Sequence, residues 1–189
     1  MLCSAKVEVY IEDFFTGWIN KINTTDCLVS SLPNSIKAIH FNESFLKKLY
    51  KKLIFDNDES HFINTFSNEV DNPIFTLADP LKNSPRLYAE KILSKKKYPS
   101  PENFLLLFKR VGINNIFDEI GAASGQNLKN VLTSYNDIRT SISHSGSPIG
   151  LNDQDVIRKL LEMKKIICHI DRVLHKHVLS HTGASTWNG

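Results

Sequence analysis

Apolar residues recur along this chain with a helical period. Val7, Tyr10, Ile11, Phe14, Phe15, Trp18 and Ile22 fall at steps of three and four, which predicts a first amphipathic helix over about residues 5 to 23. A short helix is expected around Ile36 to His40, after Pro33. In NESFLKKLYKKLIF, Phe45, Leu49 and Leu53 share one face with four lysines beside it, and Phe62 and Phe66 predict another helix after Asp58. Pro73, Pro80, Pro85, Pro99 and Pro101 crowd the middle of the chain, so short helices joined by turns are expected there. In SPENFLLLFKRVG, Ser100 is placed to cap a helix, Pro101 to begin it and Gly112 to close it. INNIFDEI adds a turn or two, and GAASG reads as a loop.

Two strong helices end the pattern. The first runs through QNLKNVLTSYNDIRTSISHSG, where Leu128, Val131, Leu132, Tyr135, Ile138 and Ile142 form one stripe. The second starts at NDQD, with Asn152 as N-cap and Asp153 and Asp155 in the first turn. It carries Val156, Leu160, Met163, Ile167, Leu174 and Val178, with Lys164, Cys168 and Asp171 in or beside its apolar arc as a polar thread in the core or at an interface. No alternating run and no repeat occurs. The expectation is an all-α bundle: one helical domain over residues 1–180, then a flexible C-terminal tail over 181–189, where SHTGASTWNG has no periodicity.

Composition narrows the function classes. The 189 residues are 41% hydrophobic and 23% charged, enough for a sizeable core without disulfides. Lys and Arg number 23 against 20 Asp and Glu, so affinity for nucleic acid has to come from a local patch. Cys3, Cys27 and Cys168 are odd in number and lack CxxC spacing, which fits reduced thiols rather than a disulfide framework or a zinc knuckle. The longest run of large apolar residues, Phe104 to Phe108, is far short of the ~20 a membrane helix needs. A soluble, cytoplasmic protein without membrane attachment is expected.

The chemistry concentrates on the penultimate helix. With Leu128 at zero and ~100° per residue, the apolar arc spans about −80° to +40° and Arg139 falls inside it, near +20°. An arginine there needs an anionic partner, or an ion pair such as one with Asp171, or it snorkels to water. His144 lies in the last turn before Gly146, where the carbonyl ends of a helix favour imidazolium and a proton can be exchanged near neutral pH. Taken alone, such a histidine reads better as an ordinary helix-end residue.

Arg139-Thr-Ser-Ile-Ser-His144 resembles the Arg-x-x-x-x-His motif of the HEPN superfamily, and VEVYIEDFF and PENFLLLFKRVGINNIF are similar to its RiboL-PSP branch or a close prokaryotic relative. The resemblance implies a helical bundle with a motif-bearing penultimate helix and a long closing helix. It also implies a metal-independent ribonuclease of toxin–antitoxin or phage-defence type, with Arg139 and His144 catalytic and no cofactor. Thr140 stands where active members often carry Asn or another strongly polar residue. Five residues on a straight helix subtend ~500°, so Arg139 and His144 point about 140° apart. A distorted final turn can bring them together, as can a symmetric dimer; the resemblance implies the homodimer, which joins two such motifs into one cleft. RNA is the implied substrate, and an antitoxin or a nucleotidyltransferase a possible partner. The alternative is a HEPN-like module that binds RNA or protein without cutting, and a purely structural helical domain is a further one.

Other constellations are weaker. Lys47, Lys48, Lys51 and Lys52 around Tyr50 can follow an RNA backbone, as can Lys95, Lys96 and Lys97, although charge runs usually just face water. His177 and His181, and Asp171 and His175, have the i, i+4 spacing of zinc ligands, but there is no HExxH and no metal site is expected. GAASG lacks the rest of a P-loop, and the serines at 141, 143, 145 and 147 lack a nucleophile elbow.

Overall fold

A computed structural model describes residues 2–41, 44–69, 71–94, 100–125, 127–145 and 152–187. Side chains at 2–6, 44, 45, 124, 135, 136, 138, 139, 141–145, 153, 156 and 159 lie outside that description. The described residues form helices joined by turns and short irregular stretches, and their only β pairing is an isolated antiparallel bridge between Leu28 and Asn83. Among these residues no helix is long and apolar enough to cross a membrane.

Helix α1 (Leu2–Thr24) is the hub. Val7, Ile11, Phe14, Phe15, Trp18, Ile19 and Ile22 are all buried, so the predicted stripe is the inner face. Fully burying an aliphatic or Phe side chain of this kind contributes about 1.5–3 kcal/mol. At its end, the Asn23 amide donates to the Leu87 carbonyl (2.9 Å) and its oxygen accepts from the Leu87 N–H (2.8 Å). This clasp pins the extended stretch before α5 (Ala89–Leu93) onto α1.

Helix α2 (Asn34–Phe41) follows Pro33 as predicted. α3 (Ser44–Lys51) runs into a π-helical turn, Lys52–Asp56, which stops at Asn57 in the left-handed region (φ 51°). α4 (Glu59–Glu69) then starts where the Asp58 side chain accepts from the His61 N–H (3.0 Å). The α3–α4 hairpin joins the body through an aromatic ladder, Tyr50–Phe62–Phe66–Phe75–Phe41, with successive ring centroids 5.5 to 6.4 Å apart. The proline-rich middle is irregular, as expected, with a 3-10 segment at Pro73–Ala78 capped by the Asn72 side chain.

Helix α6 (Pro101–Arg110) has Ser100 as its N-cap, its side chain accepting from the Asn103 N–H. Gly112 closes it at φ +100°, where a Cβ would meet Pro33 Cβ at 3.0 Å, so only glycine fits without strain. α7 (Ile116–Ser124) extends through GAAS, which corrects the expected loop. Gly121, Ala122 and Ala123 allow a helix to pass close to its neighbours, and Gly125 (φ +66°) ends it with an N–H bonded to the Gly121 carbonyl. α8 (Leu128–Ser145) and α9 (Asp153–His181) are the long closing helices, and α9 begins with the reciprocal Asn152/Asp155 capping box. α7 packs against both, and α9 also packs on α1.

Of the expected tail over 181–189, the structure describes residues 181–187, and 188 and 189 lie outside the described residues. Beyond α9, Ala184–Thr186 forms a 3-10 turn that packs on α1 and α9, and Thr186 is buried. The Trp18 indole N–H donates to Thr182 Oγ1 (3.0 Å), and the Trp187 ring lies 5.4 Å from Phe14 and 4.7 Å from His175. A buried indole needs an acceptor, and Trp187 needs apolar cover; one fold-back meets both requirements.

Candidate functional site

Helix α8 is anchored at its start. Asn127 Oδ1 accepts from the Asn130 N–H (3.1 Å), and Leu128 and Leu132 are buried against α6 and α7. The second half carries positions 139 and 144. The helix continues through both, and Ser145 is its last residue, so His144 occupies the final turn as expected. The side chains of Arg139 and His144 lie outside the described residues. The backbone is helical between them, so ideal geometry keeps the two positions roughly 140° apart around the axis.

Asp171, one partner considered for Arg139, accepts from the Tyr10 hydroxyl at 2.7 Å. Burial, followed by this bond and the charge of Asp171, pushes the Tyr10 pKa upward. The pair is a polar tie between α1 and α9. Of the rest of the expected thread, Lys164 and Cys168 are exposed and so are not in the core, which leaves the interface alternative for them. The core side of α9 is formed instead by Met163, Ile166, Ile170, Val173, Leu174 and Val178. Near its start, α9 leaves Ile157, Leu160 and Leu161 exposed, although the period placed Leu160 in the core.

Lys47, Lys48, Lys51 and Lys52 are together on the exposed side of α3 and its π-helical extension, beside exposed Tyr50, Ile54 and Phe55. α3 packs on α4, and among the described residues it does not pack on α8, so the lysines and the motif belong to separate parts of the fold. Lys95, Lys96 and Lys97 lie outside the described residues.

The histidines on α9 have structural work. His177 Nε2–H donates to the Val111 carbonyl (2.8 Å), and its ring packs edge-on to Trp18 at 5.9 Å. Burial pushes its pKa down to about 4; the carbonyl bond opposes that shift and the nearby His181 adds to it. His181 Nδ1 lies 3.0 Å from the His177 carbonyl. The i, i+4 pair therefore ties the end of α9 to the turn after α6. Among the described residues no three His, Cys, Asp or Glu are grouped to hold a metal ion.

Three tethers escaped the sequence reading. His40 is fully buried, with Nδ1 2.8 Å from the Ile36 carbonyl and Nε2 accepting from the Tyr88 N–H (2.9 Å), which sets a neutral tautomer. Arg110 donates to the carbonyls of Ile92 and Ser94 and so closes α5, while burial lowers its pKa. Asn23 clasps Leu87. Their partners are distant in sequence, and no local signal marks them.

A helical chain whose penultimate helix ends in Arg-x-x-x-x-His, followed by one long closing helix, has the layout of a HEPN protein. The RiboL-PSP-HEPN family model matches residues 1–176, and the chain belongs to that family. Membership points to an RNase-like or RNA-binding function. No curated protein and no solved structure matches the chain significantly.

Proposed function

We propose that the protein is a metal-independent endoribonuclease of toxin or phage-defence type, with Arg139 and His144 as its catalytic residues. The observation that carries this reading is their five-residue spacing at the end of α8 in a RiboL-PSP-HEPN chain. Because one helix splays the two positions, a two-fold homodimer builds the cleft from two motifs. The exposed Ile157, Leu160 and Leu161 near the start of α9 support such an interface.

In the reaction the ribose 2′-OH attacks the adjacent phosphorus. His144 accepts the hydroxyl proton, and the His144 of the second copy gives a proton to the departing 5′-oxygen. Arg139 stays charged and its planar fork meets the phosphorane oxygens. The bond from phosphorus to the 5′-oxygen breaks, leaving a 2′,3′-cyclic phosphate and a 5′-hydroxyl. DNA lacks the nucleophile. Lys47, Lys48, Lys51 and Lys52 follow the RNA backbone beside Tyr50. An antitoxin or a nucleotidyltransferase is the partner class this reading brings with it.

Thr140 after Arg139 favours a second reading, a HEPN module that binds RNA or protein without cutting it. Cellular RNA incubated with the purified protein in EDTA separates the two. The nuclease gives cyclic phosphate ends, and His144→Ala lowers the rate by on the order of a hundredfold or more. Arg139→Ala costs about as much through lost charge stabilisation. Cleavage abolished by EDTA refutes the metal-free mechanism, cleavage untouched by His144→Ala refutes the site, and no cleavage of any RNA leaves the binding module.

A further inference from the structure

A groove of about 420 Å³ lies between α7 and α9, lined by Glu119, Ala122 and Ala123 on one side and His169, Arg172 and Lys176 on the other. The small α7 side chains leave it open. Arg172 and Lys176 are exposed and have no ion pair among the described residues. His169 Nδ1 is buried and lacks a hydrogen-bond partner there. Glu119 is the single carboxylate lining the groove, against two fixed cations and an imidazole.

The basic side chains continue beyond the groove. Lys165, His169, Arg172 and Lys176 are spaced by four, three and four residues, so they form one stripe along α9. Lys165 is exposed and also has no ion pair among the described residues. Eleven residues of helix span ~16 Å at 1.5 Å each, with a basic group about every turn. A single small anion would engage one end of this stripe; an extended polyanion can follow all of it.

We infer that the α7–α9 groove and the Lys165–Lys176 stripe bind the phosphate backbone of a single RNA strand. The inference rests on the RNA reading above, but it places strand contacts on a face that neither the motif nor the α3 lysines supply. Arg172 and Lys176 grip phosphate oxygens at the groove, and Lys165 extends the contact along α9.

The test is fluorescence anisotropy of a labelled oligouridylate with the full-length His144→Ala protein, so that cleavage does not consume the probe. Affinity is followed from about 50 to 200 mM salt, with and without Arg172→Ala plus Lys176→Ala. Both residues are exposed, and an unchanged melting curve verifies that the double variant folds. Each lost phosphate contact should flatten the log–log salt slope by ~0.7, so the double variant should lose roughly 1.4 and bind roughly tenfold more weakly at low salt. An unchanged slope and affinity overturn the inference, as does a parent protein that binds no strand at the lowest salt. Uridine monophosphate binding as tightly as the strand overturns it in favour of a small-anion pocket. Polyglutamate displacing the strand at equal charge, through the same two residues, overturns it in favour of an acidic protein partner. A chain that never cuts RNA but grips the strand through Arg172 and Lys176 sinks the nuclease reading and keeps this one. A chain that cuts RNA while its binding ignores both residues does the reverse.

Discussion

Helix α1 and the α3–α4 hairpin have the same kind of sequence, helical segments with large apolar residues at regular spacing, yet they end in opposite surroundings. α1 sends seven apolar side chains inward, and α5, α9 and the closing 3-10 turn cover it. The hairpin buries only Leu49 among its described residues, while Ile54 and Phe55 at its tip are 71% and 79% exposed. Its attachment is the aromatic ladder through Phe62, Phe66 and Phe75. Periodicity makes a helix able to bury a face; a partner from elsewhere in the chain decides whether it does. A region with few buried apolar contacts opens locally at lower cost than the global fold.

That contrast sets the size of the expected mutational effects. Trp18→Ala should be the most damaging, at about 3–5 kcal/mol, since it empties a fully buried site and removes the bond to Thr182. Urea unfolding measures it, and a loss like that of an exposed residue would break the account of α1 as the hub.

Acid should come next. His177 is held neutral in the fold, with its pKa pushed down to about 4, while in the unfolded chain it titrates near ~6.5. Between these values the unfolded chain takes up a proton that the native chain refuses. The stability from this site is therefore complete above about 6.5 and lost as pH falls toward ~4, on the order of 2 kcal/mol after allowing for partial exposure. His177→Gln keeps an N–H donor for the Val111 carbonyl and should flatten this part of the stability–pH curve. An identical acid limb in the variant would assign it to other groups.

Trp187→Ala should cost about 1–2 kcal/mol, less than a full core truncation because the ring is only half-buried. It tests whether the chain end belongs to the α1 cluster, and a melting temperature equal to that of the parent would free the tail again. The smallest effect is expected at the hairpin tip, where Phe55→Ser should stay within about 0.5 kcal/mol. A loss of several times that would mean that the tip is covered in solution, and it would erase the difference between the two regions.

Much of the architecture was legible because its causes are local. The α1 stripe, the Ser100–Pro101 start of α6, the Gly112 stop and the Asn152 cap each depend on residues within a few positions of one another. The same holds for the position of Arg139 and His144 on one late helix, which the resemblance to HEPN proteins picked out. The errors came where distant segments meet. GAASG read as a loop because glycine and small residues lower helix propensity, but the packing of α7 on α8 and α9 outweighs about a kilocalorie of such preference. Lys164 and Cys168 fell near the predicted apolar arc, yet the inner face of α9 is set by where α1 and α7 lie against it.

The sequence by itself determined an all-helical chain, the order and approximate limits of its main helices, and the helix that bears the HEPN motif. The helices follow from period, capping and turn chemistry, which act over one or two helical turns, and the motif was picked out by its resemblance to HEPN proteins. Only the tertiary structure decided that residues 184–187 fold back onto α1, that His177 supports the turn after α6, and that α7 and α9 frame a groove with Arg172 and Lys176 on its wall. Each of these depends on two groups far apart in the chain becoming neighbours, and burial or hydrogen bonding between such groups leaves no periodic trace in either segment.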